Sequence, residues 1–224
     1  FYGGGGIFSR SSSLIISHNI IRNNDHSNIY EGGGIFAFTT GPVSIITISN
    51  NRIENNATTN NGGGIRLEGV DASSIVTLNT IISNTCGASG AGIYISNCSP
   101  QIIENDILSN IASGGVLNYG GGIYISPNSH PDIIDNDISE NEANNSAAIH
   151  AKLNSSPTIR GNLIIGNTIT TGGGAAMRIE PGANPLIDSN KFMGNAQTDC
   201  CNGGALRVDA SCTIINNLFS HNFA

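Results

Sequence analysis

The stretch GGGIYISPNSHPDIIDNDISEN, residues 120–141, decides the fold. It divides into three short runs rich in β-branched residues: Gly-Ile-Tyr-Ile-Ser, Asp-Ile-Ile-Asp and Asp-Ile-Ser-Glu. Pro, Asn, Ser and His separate them. Runs this short, bounded by turn formers and lacking a 3.6-residue apolar period, read as β-strands rather than helix. Three strands in under thirty residues make one turn of a solenoid if the unit repeats.

It does repeat. Asn-x-[Ile/Phe]-x-x-Asn occurs eight times, its first Asn being Asn19, Asn51, Asn79, Asn105, Asn136, Asn162, Asn190 and Asn217. The second is Asn24, Asn56, Asn84, Asn110, Asn141, Asn167, Asn195 and Asn222. A Gly-Gly-Gly-Ile segment or a variant precedes each, ending at Ile7, Ile35, Ile65, Ile93, Ile123, Ile149, Met177 and Leu206. The 224 residues give a mean of 28 per unit. Loops absorb the variation in length, while the step between the paired Asn residues never changes. Periods of this size are the mark of stacked repeats.

The physical reason for stacking is burial. One coil cannot cover its own Ile residues, whereas coils about 4.8 Å apart place like above like. Ile columns then fill the interior. The Asn columns are expected to point inward at the bends, where their amides bond to each other and to the turn backbone. Pro100, Pro131, Pro157 and Pro185 share one place, suited to the start of a strand. The reading is an all-β parallel β-helix, a single domain over residues 1–224 with about eight coils and three short strands in each.

Composition sets bounds on function. The net charge is -7 with only nine Lys and Arg and no basic stripe, so nucleic acid is not an expected partner. No apolar run is long enough for a membrane span. Charged residues make up 11% and Trp is absent, yet Ile is abundant, which excludes a disordered chain.

These motifs resemble the right-handed parallel β-helix superfamily, the pectate-lyase-like fold. The Gly-Gly-x-[Ile/Leu/Ala] and [Ile/Phe]-x-x-Asn pairing is also similar to the repeats of polymorphic outer-membrane proteins and other bacterial surface β-helices. The resemblance covers the whole chain. It implies an extracellular or cell-surface location, and it implies no single activity, because this fold hosts lyases, hydrolases, epimerases, adhesins and inert stalks.

The resemblance also implies that carbohydrate chemistry sits on the outer face of the first strand. Alternation places Phe8, Phe36, Arg66, Tyr94, Tyr124, His150, Arg178 and Arg207 outward, followed two residues on by Arg10, Phe38, Glu68, Ser96, Ser126, Lys152, Glu180 and Asp209. The expected ligand contacts are Phe36, Phe38, Tyr94, Tyr124, Arg178 and Arg207, with rings stacking on sugars. A lyase would need a base and a neutraliser for the substrate carboxylate, for which His150, Lys152 and Arg178 are the candidates. A plainer reading competes with both. Aromatic neighbours stack on one another, and Arg66 with Glu68, Arg178 with Glu180 and Arg207 with Asp209 pair as surface ions. The expected role is a structural or adhesive β-helix that contacts glycans. The alternative is a polysaccharide lyase or epimerase.

No cofactor is required by the pattern. Glu104 and Asp106 should lie beside Asp135 and Asp137 of the next coil, where a Ca²⁺ ion could bridge them or water could solvate them. Of the five Cys, the repeat frame separates Cys86, Cys98, Cys201 and Cys212 too widely to pair, leaving a strained Cys200–Cys201 bridge or links beyond this segment. Neither terminus carries a recognisable cap. Asn222-Phe-Ala followed by Phe1-Tyr-Gly would continue the repeat in frame, so either a longer solenoid or head-to-tail self-association is expected.

Overall fold

The computed structural model describes residues 3–26, 32–41, 44–115, 118–198 and 203–224. The chain is a parallel β-helix. Strands Ile93–Ser96, Gln101–Ile103, Asp106–Leu108 and Ile111–Ala112 make up one coil. Like strands of successive coils pair in parallel, giving three eight-stranded sheets and a fourth of seven strands. No helix among the described residues is long and apolar enough to cross a membrane.

The register is that of the repeat. Ile81 pairs with Ile53 and Ile107, and Ile138 with Ile107 and Ile164. These residues are fully buried, as are Ile35, Ile65, Ile93, Ile123, Ile149 and Met177 of the first sheet. Each such side chain is worth about 1.5–3 kcal/mol of burial. Ile214 and Phe219 of the eighth coil, equivalents of the buried Ile187 and Phe192, are exposed because they have a coil on one side only.

Both Asn columns point inward as expected. Asn110 shows the unit: its Nδ2 donates to the Ile81 carbonyl and to Asn141 Oδ1, and its backbone N–H donates to the same Oδ1. Each buried polar group at the bend thus has a partner inside the prism.

The bends themselves follow from backbone conformation. The residue before every ladder Asn has positive φ, whether Asn50 and Asn55, Asp135, Gly161 and Gly166, or Ser83 and Ser109. Most of these types tolerate the left-handed region. Leu78 does not, yet sits there at φ 56 with its side chain largely in solvent. Relieving that strain loses little packing. Leu78→Asn should therefore stabilise the protein by about 1 kcal/mol, read as a higher urea midpoint with unchanged slope.

The fourth sheet was not expected from the sequence. Its two-residue strands follow the second Asn, and small side chains (Cys86, Ala91, Ala112 and Ala143) pack behind it. This explains the glycine run. The middle Gly63 lies so close to the fourth sheet that a Cβ would sit 2.5 Å from the Thr85 carbonyl oxygen, whereas Gly62 has φ 75. One glycine turns the chain, and the next admits a neighbouring backbone.

Candidate functional site

On the outer face of the first sheet, Phe8, Phe36, Arg66, Tyr94, Tyr124, His150, Arg178 and Arg207 are register partners in that order. Because coils repeat at the ladder spacing, planar groups stack along the axis. Phe8 and Phe36 are 5.4 Å apart, and the Arg66 guanidinium lies 5.1 Å from Phe36 and 4.7 Å from Tyr94. Tyr94 and Tyr124 stack at 4.9 Å, and Tyr124 and His150 at 5.6 Å with planes 3° apart. Each contact adds about 0.5–1.5 kcal/mol. The stack also has a chemical consequence. The ring faces that would receive a sugar are covered by the rungs above and below.

Outward does not mean solvent-facing here. The glycine segment entering each first strand folds back over the side chain four residues on, so that a Cβ on Gly32 would meet Phe36 Cβ at 2.6 Å. Phe36, Phe38 and Tyr124 are buried, and His150 is 0% exposed. Phe36, Phe38 and Tyr124, expected as sugar contacts, are therefore largely withdrawn from solvent. Tyr94, Arg178 and Arg207 keep partial exposure.

The charged half of the face is largely spent on itself. Arg66 holds Glu68 at 2.6 Å, and Arg207 Nε lies 2.9 Å from Asp209. The expected Arg178–Glu180 pair is replaced: Arg178 reaches Asp209 at 3.6 Å, and Glu180 turns to the preceding coil. There Glu180 Oε1 is 2.6 Å from Lys152 Nζ and 3.0 Å from His150 Nε2. Lys152 Nζ also sits 4.6 Å from the centre of the Tyr119 ring, which covers His150 at 4.4 Å.

On the other side of the imidazole, Nδ1 lies 2.7 Å from the Ser146 hydroxyl. Burial lowers the His150 pKa to about 4, outweighing the hydrogen bond and charge of Glu180 that act to raise it. The ring is therefore neutral near pH 7, with Nε2–H donating to Glu180 and Nδ1 free to accept from Ser146. Burial acts to raise the Glu180 carboxyl, but hydrogen bonds from His150 and Lys152, reinforced by their charges, bring it down to about 2. Neutral imidazole between a hydroxyl and a carboxylate is an arrangement that can take a proton from the hydroxyl.

Ser146 was not singled out by sequence reasoning, though a signal existed. It is the one position among the eight equivalents Gly4, Gly32, Gly62, Gly90, Gly120, Ser146, Gly174 and Gly203 that is not glycine. It nevertheless keeps the left-handed backbone, at φ 49.

The other expected site does not assemble. Asp106 and Asp137 are register partners, as the stacking requires. Asp135, however, leans over Gly161 of the following coil, and Asp137 accepts a hydrogen bond from the Ser139 hydroxyl. Glu104 and Asp135 stand at bends with positive φ, their side chains exposed. Among the described residues no group of three or more His, Cys, Asp or Glu could hold a metal ion. Cys86 and Cys98 are buried free thiols, and Cys212 is free and half-buried. The Cys200–Cys201 pairing lies outside the described residues.

A family model described as the right-handed beta helix region matches residues 1–122 and, in an overlapping second match, residues 73–224. No curated protein and no solved structure matches the chain.

Proposed function

This chain belongs to the family of right-handed beta helix regions, and from that premise we propose that it is an extracellular or cell-surface scaffold whose first-sheet face meets glycans at its partly exposed end. The observation that carries this reading is the internal pairing of that face. Rings stack on rings, and Lys152, His150, Arg66 and Arg207 each hold a carboxylate of the same sheet. Such a strip is rigid and needs no ligand to complete it, which suits display. A lyase base must be deprotonated and reachable. Lys152 is tied to Glu180, and His150 lies beneath Tyr119.

Contact falls to Arg178 and Arg207, register partners with Asp209 as their shared carboxylate. Two guanidinium groups against one carboxylate leave positive charge for the acidic groups of a glycan. The full chain should bind acidic glycans on an array, and Arg178→Ala with Arg207→Ala should weaken that binding at least tenfold while circular dichroism stays unchanged. Incubation with polygalacturonate or alginate plus Ca²⁺ should release no unsaturated product. Product that disappears in Lys152→Ala would overturn the reading in favour of a lyase.

A further inference from the structure

We propose that Ser146 and His150 act on the chain's own backbone, cleaving the peptide bond between Asn145 and Ser146. The inference stands apart from glycan contact and uses the part of the first-sheet face that is closed to solvent.

The Asn145–Ser146 peptide is out of step with the solenoid. In three earlier coils the N–H of the turning glycine donates to the carbonyl just before the next coil's glycine: Gly32 to Asn61, Gly62 to Ser89 and Gly90 to Tyr119. Continuing the pattern, Gly120 would bond to Asn145. Its short bond, at 2.8 Å, goes to the Ser146 carbonyl. The Asn145 carbonyl oxygen, in a residue that still bridges Tyr119 of the preceding coil, lies 2.7 Å from the hydroxyl of Ser146. The same hydroxyl is 2.7 Å from His150 Nδ1, so its single proton has two acceptors.

The residues around this peptide have the properties of a nucleophile and its base. Ser146 holds a left-handed backbone where the other seven coils carry glycine, and that strain is relieved if the bond to Asn145 opens. His150 is neutral because it is buried, and its far nitrogen donates to the Glu180 carboxylate, which stabilises the imidazolium formed on proton uptake. Lys152 keeps Glu180 ionised. Ser146 and His150 are both 0% exposed, so a substrate from solution cannot reach them. The group already within reach is the carbonyl next door.

The chemistry balances with water as the co-reactant. Ser146 Oγ attacks the Asn145 carbonyl carbon as its proton passes to His150 Nδ1. The C–N bond then breaks, and His150 returns the proton to the departing Ser146 amine, leaving an ester between Asn145 and Ser146 Oγ. Water hydrolyses the ester to an Asn145 carboxylate and a free Ser146 hydroxyl. The ladders on both sides would hold the two pieces together in the native solenoid.

The test keeps the full chain native at neutral pH for days, then denatures it in neutral hydroxylamine, which cuts esters and, apart from the Asn61–Gly62 and Asn202–Gly203 bonds, spares the amides of this chain. Intact mass should show pieces ending at residue 145 and beginning at 146. Ser146→Cys should still yield them through a thioester, and Ser146→Ala and His150→Gln should reduce them at least tenfold. Ser146→Ala keeps the Cβ and removes only the hydroxyl, and circular dichroism checks that it folds. A wild-type chain with no cut between residues 145 and 146, or equal cutting there in Ser146→Ala, would each overturn the proposal.

Discussion

Asn110→Asp should cost about 3–5 kcal/mol at pH 7, although it exchanges one NH₂ for one oxygen. Asn110 is 0% exposed at the centre of the second ladder. As acceptor, its Oδ1 takes the N–H of Asn84 and the Nδ2 of Asn84, and an Asp oxygen could do the same. As donor, its Nδ2 serves the Ile81 carbonyl and Asn141 Oδ1. An ionised Asp has no donor, so two buried oxygens would face a third. Each unsatisfied buried acceptor costs about 1–3 kcal/mol, and the charge itself is resisted by burial.

That mechanism fixes the pH dependence. Burial would raise the folded-state pKa of the new carboxyl above its unfolded value of about 3.9. A raised carboxyl is least costly in acid, and the penalty grows as pH climbs from the unfolded value through the folded one. Urea midpoints of Asn110→Asp and wild type should converge toward acid and separate toward neutrality. Asn110→Ala should be destabilised without that dependence. Asn24→Asp provides an internal comparison, because Asn24 lies in the first coil and is half-exposed. It should lose less than half as much. Equal losses at 24 and 110 would mean that burial within the stack is not the source.

The contrast between those two positions also shows what could be read from the chain alone. Asn and Ile recur at fixed steps because a stacked coil punishes any other letter there, through an unpaired amide or an unfilled core. The columns were therefore legible down to the register of Asn105 with Asn136. The fourth sheet was not. Its inward positions accept His26, Thr58, Cys86, Ala112, Ala143, Ile169 or Gln197, since a two-residue strand beside a glycine turn needs only a side chain that fits. No recurring letter marks such a place. The outer face was half legible. Alternation gave the correct column, but whether Phe36 or His150 meets solvent depends on a loop folding back from four residues earlier, and no period encodes that. The Ser146–His150–Glu180 contact was readable only as an exception, by asking where a glycine was missing rather than where a motif was present. Glu180 could not be assigned to His150 from its own strand, because Arg178 stands two residues away and offers the nearer charge in sequence.

Acidification from pH 7.5 to 4.5 should remove about 2–3 kcal/mol of stability through His150 alone. The unfolded imidazole titrates near 6.5, and burial holds the folded one down to about 4. A histidine lowered on folding is stable in its neutral form. Its contribution is whole above the unfolded value and is lost as pH falls from there through the folded one, because the unfolded chain takes the proton first. The charged groups that face the ring act in opposite senses: Glu180 favours the proton, while Lys152 and Arg178 oppose it. Glu180 is itself lowered, so its own contribution is present above about 4.5 and fades below that, steepening the loss at the acid end. The comparison that isolates His150 is His150→Gln, which keeps polar atoms in the pocket and cannot titrate. At pH 7.5 the variant should be the less stable, having lost the stack on Tyr124 and the bond to Glu180. Near pH 4.5 its urea midpoint should meet or pass that of wild type, because groups outside this pocket are common to both chains and cancel. Curves that run parallel across this range would show that the His150 proton equilibrium is the same folded and unfolded, and hence that the ring is not sealed beneath Tyr119.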